Sequence, residues 1–268
     1  MKNLTGARYC SVANLALIVV ILGLTLLTLA CQKQETKPAG PKEKVTLGVA
    51  SIVMSTPIFI AQAKGYFEEE GLEVLFKQYP SGKKTIEGMF AGESDIATVA
   101  ETPIMFQGFV RNDFCVFLTF FQSYNDAKFI ARKDRGIRTP ADLKGKRVGT
   151  LKGTSAHYFA YMYLLEHRVD PASITFSYYD PTELPDALGS GKVDAIVAFE
   201  PYAYNSRLAI AGQIADLPQS VLFRETFNLV AMKAWAGQHP ETLKKMVRAV
   251  GKATTFVQQN TQASIEIM

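Results

Sequence analysis

Two pairs of carboxylates recur at the same spacing in two parts of the chain. Residues Phe90–Pro103 match Leu188–Pro201, with a Gly three residues before an Asp and a Glu six residues after it. Each copy is typical of a glycine-capped helix end, a buried parallel strand and a helix that opens at proline. Paired carboxylates can catalyse glycoside hydrolysis, or they can stand at matched edges of a binding cleft. A third interpretation is that these are two ordinary strand–helix units.

Alternating strands and helices must position these residues. From Lys44 onward the apolar pattern predicts strands separated by helices, which indicates an α/β fold. Two such series predict two lobes, each an open sheet, with a ligand cleft between them. Lobe 1 is expected to comprise residues 45–123 plus 227–268, and lobe 2 residues 124–226. The two crossings predict a hinge near residues 122–125 and 222–228.

The individual elements follow from apolar runs, caps and breakers. Strands are predicted at residues 45–50, 72–76, 96–100, 114–121, 128–131, 147–150, 175–179 and 227–233, and within the second repeat copy. Helices are predicted after Thr56, Ser81, Thr139 and Thr154, around residues 186–188, at Pro201, and from Pro240 to about Gln259.

The amino-terminal residues 1–30 have the pattern of a secretory signal peptide. Lys2 and Arg8 precede a run without charge, and Thr28-Leu29-Ala30-Cys31 resembles a bacterial lipobox. We expect Cys31 to be lipidated and residues 31–44 to form a flexible tether. The protein would then be a lipoprotein of the cell envelope, anchored in the membrane and facing the periplasm or the exterior. The alternative is an uncleaved transmembrane helix.

Charge and cysteine content limit the function classes. Without the signal peptide the chain keeps 27 basic and 25 acidic residues, a net charge of +2 that does not suggest nucleic-acid binding. The three cysteines are Cys10, Cys31 and Cys115, so the mature chain offers no pair for an internal disulfide and no zinc or iron–sulfur cluster. We expect no cofactor, and we expect Cys115 to be buried.

Short hydroxyls and helix N-termini should meet in the predicted cleft. Free backbone N–H groups beside small hydroxyls can bind an oxyanion without an arginine. The alternative is that these residues only cap their helices. The candidates are Ser55, Thr56, Ser81, Gly82, Thr102, Ser123, Thr154 and Ser155.

Four further candidate residues would change which ligands the predicted oxyanion site accepts. Glu101 and Glu200 would repel a bare anion and could bind an amine or N–H donor, which makes a zwitterion or a heterocycle plausible. Alternatively, these carboxylates bridge loops or stabilise helix N-termini. His157 could donate a hydrogen bond to the ligand, and Tyr202 offers aromatic surface nearby.

Ordered motifs resemble one family of binding proteins. Pro57–Phe67 with Glu70–Val74 resembles the opening motif of substrate-binding proteins for nitrate, taurine, aliphatic sulfonates and thiamine-pyrimidine precursors. Later motifs of that family are resembled, in order, by Ala91–Ala97, Asp142–Gly149, Gly191–Ala195 and Glu200–Tyr202. The resemblance implies a monomeric, two-lobed periplasmic binding protein of type II that delivers a solute to an ABC permease and its ATPase. It also implies a longer chain, so lobe 1 is expected to be truncated.

Two other functions are compatible with the resemblance. Pyrimidine synthases of thiamine biosynthesis are similar to this family, but they need a pyridoxal-phosphate lysine, a reacting histidine and a cysteine-rich iron motif, which have no obvious counterparts here. A solute sensor for a membrane kinase is the second alternative. We expect a binding protein and not an enzyme.

Overall fold

The computed structural model describes residues 41–220 and 222–268. The predicted signal peptide, the predicted lipidation site at Cys31 and most of the predicted tether lie outside the described residues. Within the described ranges, none of the helices combines the length and apolar character that crossing a bilayer requires.

The elements alternate along the chain as the apolar pattern predicts. The strands of the described ranges are β1 (Glu43–Ala50), β2 (Leu72–Tyr79), β3 (Ile96–Ala100), β4 (Phe114–Ser123), β5 (Lys128–Ala131), β6 (Arg147–Thr150), β7 (Thr175–Tyr178), β8 (Ala195–Ala198) and β9 (Glu225–Met232). The α-helices are α1 (Thr56–Ala63), α2 (Tyr66–Glu69), α3 (Gly82–Phe90), α4 (Glu101–Gly108), α5 (Ser155–Glu166), α6 (Leu184–Gly189), α7 (Tyr202–Ala209), α8 (Lys233–Gln238), α9 (Pro240–Gln259) and α10 (Thr261–Ile267). Short 3₁₀ turns lie at Val53–Ser55, Lys133–Arg135, Pro140–Leu143, Pro171–Ser173 and Pro181–Glu183.

The strands form two sheets. The first has the order β2-β1-β3-β9-β4 and the second the order β5-β8-β6-β7. In the first sheet β1 runs parallel to β2 and β3, whereas β9 runs antiparallel to β3 and β4. In the second, β6 runs parallel to β7 and β8, and β5 is antiparallel to β8. The chain leaves the first sheet after β4 and returns at β9, so the predicted two-sheet α/β fold is confirmed.

The two repeat copies build equivalent central strands. Asp95 precedes β3, where its backbone N–H donates to Thr46 O at 2.9 Å and its carboxylate accepts from Thr46 N at 2.7 Å. Asp194 precedes β8 and makes the same two bonds with Arg147, at 2.8 and 3.0 Å. The Arg147 guanidinium adds a contact of 2.7 Å to this carboxylate. Each aspartate therefore fixes the register of its strand at the end where the strand begins.

Both central strands are completely buried, because they lie inside their sheets with helices on the faces. The long helix α9 buries one stripe, including Met246, Val250 and Ala253, against the first sheet and α1. Cys115 is half-buried and not buried as expected, because β4 is an edge strand. The return strand begins at Glu225, two residues before its predicted start.

Candidate functional site

Two helix N-termini meet at a small cavity. One helix follows a strand of the first sheet and the other follows a strand of the second sheet. Ser81 and Gly82 at the start of α3 face Thr154 and Ser155 at the start of α5. Glu225, the first residue of β9, lines the same cavity. The cavity volume is about 10 Å³, which is room for roughly one water molecule. The structure thus brings four of the predicted site residues together. Glu225, which lies among them, was not predicted.

Side-chain hydrogen bonds close the cleft around this cavity. Tyr202 Oη, from α7, donates to Pro80 O at 3.2 Å. Lys83 Nζ, from α3, donates to Lys152 O at 3.0 Å. Ser155 Oγ donates to the carboxyl group of Glu225. All three bonds join the part of the chain around the first sheet to the part around the second sheet. The cleft between the two sheets is therefore closed in this structure.

Gly82 permits the close approach of α3 to the first sheet. A Cβ atom at this position would lie 3.1 Å from the Phe227 ring, 3.2 Å from Ala100 N and 3.2 Å from Thr98 O. These distances are shorter than normal contacts, and two of them are to backbone atoms that cannot move aside. The missing side chain therefore sets how near the N-terminus of α3 lies to the carboxyl end of β3.

The cavity hydroxyls also bond to the protein. Ser81 Oγ accepts from Lys84 N at 3.4 Å as the N-cap of α3. Thr154 Oγ donates to Leu151 O at 2.8 Å and does not cap its own helix. Each hydroxyl oxygen retains lone pairs, so these contacts leave room for a further hydrogen bond.

Three of the predicted site residues, Ser55, Thr56 and Ser123, lie outside the cavity lining. Ser55 is fully buried and its Oγ has no hydrogen-bond partner. Thr56 is the first residue of α1, and its Oγ donates to Val53 O at 2.6 Å. Ser123 ends β4, where its Oγ accepts from Asn125 N at 3.0 Å.

Glu101 and Glu200 occupy equivalent strand ends, but both are held by protein donors. Glu101 accepts from Thr226 N at 2.7 Å and from Thr102 Oγ at 2.9 Å. Glu200 accepts from Lys128 Nζ at 2.9 Å and from Tyr204 N at 2.9 Å. Neither residue lines the cavity described above. Their contacts match the alternative in which the carboxylates bridge loops and helix N-termini.

The sequence prediction missed two buried and electrostatically coupled carboxyl groups, Glu225, which lines the cavity, and Asp126. Glu225 is 3% exposed and its Oε2 has no hydrogen-bond partner. Burial, then repulsion from Asp126, raises its pKa well above the usual value. Asp126 is 6% exposed, its Oδ2 is also without a partner, and burial raises its pKa to about 7. Glu225 begins an apolar strand at the predicted hinge. This position was the feature of the sequence that could have identified it as a site residue.

His157 lies in a separate groove of about 400 Å³ that also contains Phe106, Lys83 and Lys152. Its Nδ1 accepts from Gly153 N at 3.3 Å, and its Nε2 is 3.3 Å from Tyr178 Oη. Burial, with Lys152 and Lys83 nearby, lowers the pKa of this imidazole. His157 is therefore neutral at pH 7 and can serve as a hydrogen-bonding group at the cleft entrance.

Comparison with known proteins identifies the family. The model of the family described as NMT1/THI5 like matches residues 53–264. The chain belongs to the NMT1/THI5-like family. A solved neighbour in fold is the alkanesulfonate-binding protein SsuA from Xanthomonas axonopodis pv. citri bound to MOPS, with a TM-score of 0.71, 19% identity, and coverage of 85% of this chain and 79% of that chain. The nitrate-binding protein NrtA from Synechocystis PCC 6803 has a TM-score of 0.69 at 15% identity, covering 84% and 65%.

The sequence relatives have low identity to this chain but match most of its length. A Bacillus subtilis (strain 168) protein, named for a proposed binding of aliphatic sulfonates, is 24% identical over 222 residues, which are 79% of this chain. That match spans only 65% of the relative's length. The riboflavin-binding protein RibY of Chloroflexus aurantiacus is 25% identical, covering 85% of this chain and 70% of its own. The names of these two relatives refer to different solutes.

Proposed function

We propose that this protein is the solute-binding component of an ABC importer and encloses a small organic anion or zwitterion between its two sheets. The observation that carries the proposal is the meeting of two helix N-termini, at Ser81 and Ser155, in one small cavity. Helix N-termini favour negative charge through their free N–H groups and their dipoles. A sulfonate, carboxylate, phosphonate or nitrate group would suit this environment.

Binding would proceed by opening and closing of the two lobes. The closed cavity is too small for such a solute, so the hydrogen bonds that join the sheets must break for the ligand to enter. We propose residues 45–123 plus 227–268 as lobe 1 and residues 124–226 as lobe 2, with the hinge in the two crossings. The ligand would then replace direct contacts between the lobes and stabilise the closed form that a permease recognises.

We propose binding and not catalysis. Glu101 and Glu200, the pair that could have acted in acid–base chemistry, are both engaged by protein donors. The partners would be the solute, an ABC permease and its ATPase, and the membrane through lipid on Cys31. A Cys31→Ala variant should leave the membrane fraction during cell fractionation; continued tight membrane association would contradict the anchor.

A thermal-shift screen tests the proposed ligand class. Nitrate, taurine, ethanesulfonate, 2-aminoethylphosphonate and a hydroxymethyl-aminopyrimidine would be added separately to the purified protein. A ligand at 100 times its Kd stabilises the folded state by about 2.7 kcal/mol, which raises Tm by about 5 to 10 °C. If none of the compounds raises Tm, the assignment as a binding protein for this class of solute is wrong.

Two matched threonine variants locate the site. Thr154→Val removes a cavity hydroxyl, whereas Thr139→Val removes a hydroxyl that bonds to Asp142 at the surface of the second sheet's lobe. We expect the ligand-induced rise in Tm to shrink only for Thr154→Val. If both variants lower the Tm of the free protein and keep the full ligand-induced rise, then Thr154 is structural and the solute binds elsewhere.

A further inference from the structure

Glu225 lines the cavity and belongs to a group of four electrostatically coupled carboxyl groups, of which protein donors satisfy only those of Glu101 and Glu200. Glu101 is held by the backbone N–H and hydroxyl of Thr226, at 2.7 and 3.3 Å, and by Thr102. Glu200 is held by Lys128 and by the backbone of Tyr204. These two carboxylates fix neighbouring segments in place and have few acceptor positions left.

The other two carboxyl groups are buried more deeply and are incompletely bonded. Glu225 receives a hydrogen bond from Ser155, but its second oxygen has no partner. Asp126 follows β4 by three residues, and the last residue of β4 pairs with Glu225 in the sheet. One oxygen of Asp126 is also unpartnered. A buried polar atom without a partner is costly, so the unpartnered oxygen of Glu225 at the cavity indicates that something else completes it.

The charges around Glu225 indicate what that group is. Asp126 and Glu101 both raise the free energy of the ionised Glu225 by repulsion. The cation that also borders the cavity is Lys83, but its Nζ donates to Lys152 O across the cleft entrance. An anionic group beside Glu225 would therefore meet further negative charge, whereas an ammonium or N–H donor would find unused acceptors and relieve the repulsion.

We propose that Glu225 is a specificity residue that binds a protonated amine or N–H group of the solute, while the N-termini of α3 and α5 bind its acidic group. This inference rests on the proposed function and narrows it to zwitterionic solutes. Glu101 acts as a positioning residue, because it bonds to the backbone of Thr226 beside Glu225. Asp126 adds negative potential behind the amine.

Matched pairs of probes test the inference by isothermal titration calorimetry. Taurine is compared with ethanesulfonate, β-alanine with propionate, and 2-aminoethylphosphonate with ethylphosphonate. We expect the amine-bearing member of at least one pair to bind about 10 to 100 times more tightly, as for one hydrogen bond between charged groups. Glu225→Gln keeps the shape and the Ser155 contact but removes the charge, so it should abolish this preference. Glu69→Gln, an exposed residue paired with Lys252, is the charge-matched control and should keep it.

Proton release gives a second readout that needs no variant. Burial and the nearby Asp126 and Glu101 raise the pKa of Glu225, which favours a bound proton in the free protein. Binding of an ammonium group to the carboxylate expels that proton to the buffer, so the binding enthalpy should differ between phosphate and Tris at pH 7. The same measurement with the amine-free probe should show no such difference.

The outcomes separate the two proposals. A preference for the amine that Glu225→Gln abolishes, with proton release, supports the subsite. Equal binding of both members of each pair, or an unchanged preference in Glu225→Gln, overturns the subsite but leaves the proposed function intact. If the protein binds no probe at all, the proposed function fails and the subsite fails with it.

Discussion

Replacing Asp126 by asparagine should change how the stability of the protein depends on pH. Asp126 is 6% exposed, and burial raises its pKa from 3.8 to about 7. Lys128 opposes this rise in pKa and Glu200 adds to it. Glu225 couples to the same group. The folded state therefore holds a proton that the unfolded chain releases near pH 4.

The sign and the magnitude follow from this difference. Because the folded state binds the extra proton, the contribution of Asp126 to stability falls as pH rises from about 4 to about 7 and then levels off. Between pH 5 and pH 8 the interval up to the folded pKa is about 2 pH units, which corresponds to about 3 kcal/mol. Asp126→Asn removes this contribution, because the amide does not titrate. The variant should thus gain about 3 kcal/mol relative to the wild type between pH 5 and pH 8.

Urea denaturation at pH 5, 6, 7 and 8 measures this difference. Asp134→Asn is the control, because Asp134 is an exposed partner of Arg132 whose pKa is lowered. Its contribution to stability is present above pH 4 and is lost only below that, so its curve should run parallel to that of the wild type from pH 5 to 8. A constant free-energy difference between Asp126→Asn and the wild type over this range would refute the reasoning.

Three further predictions concern packing and hydrogen bonds. Gly82→Ala should lower the free energy of unfolding by about 1 to 3 kcal/mol, because the added methyl group meets backbone atoms; thermal denaturation measures the loss, and an unchanged Tm would contradict the close approach. Asp194→Asn should cost about 2 kcal/mol, since an amide presents an N–H group to the Arg147 donors; urea denaturation at pH 7 tests this, and a neutral effect would contradict the role of the aspartate. Tyr202→Phe removes the hydrogen bond to Pro80 O, so small-angle X-ray scattering should show a larger radius of gyration for the free variant; an identical radius would mean that this bond does not hold the cleft closed.

Most of the fold could be predicted from local sequence patterns, but only part of the candidate ligand site could. The strands β3 and β8 were predictable because a glycine turn, an apolar run and a following helix are all encoded within about fourteen residues. The convergence of Ser81 and Ser155 was also predictable, since strand ends of open sheets share one edge. The partners of Glu101 were not, because Thr226 lies 125 residues further along the chain.

Glu225 was missed for a related reason. In the sequence it is a charged residue before an apolar strand, which is typical of an exposed strand end. Its burial depends on the N-terminus of α5, which packs over it from the other sheet and contributes Ser155. Such contacts depend on how the two sheets meet, and no local pattern of apolar residues records that arrangement.

Asp95 and Asp194 have a consequence for the energetics of the proposed ligand binding. Each holds the beginning of a central strand, and in β3 the five residues that follow extend about 16 Å to the rim of the cleft. The rim of each lobe is thus anchored from its far side and does not depend on contact with the other lobe. Opening the cleft need not loosen either strand, so binding of the proposed ligand would avoid the entropic cost of ordering a rim segment. The free energy of capture can then be used for closing the lobes and for selecting the solute.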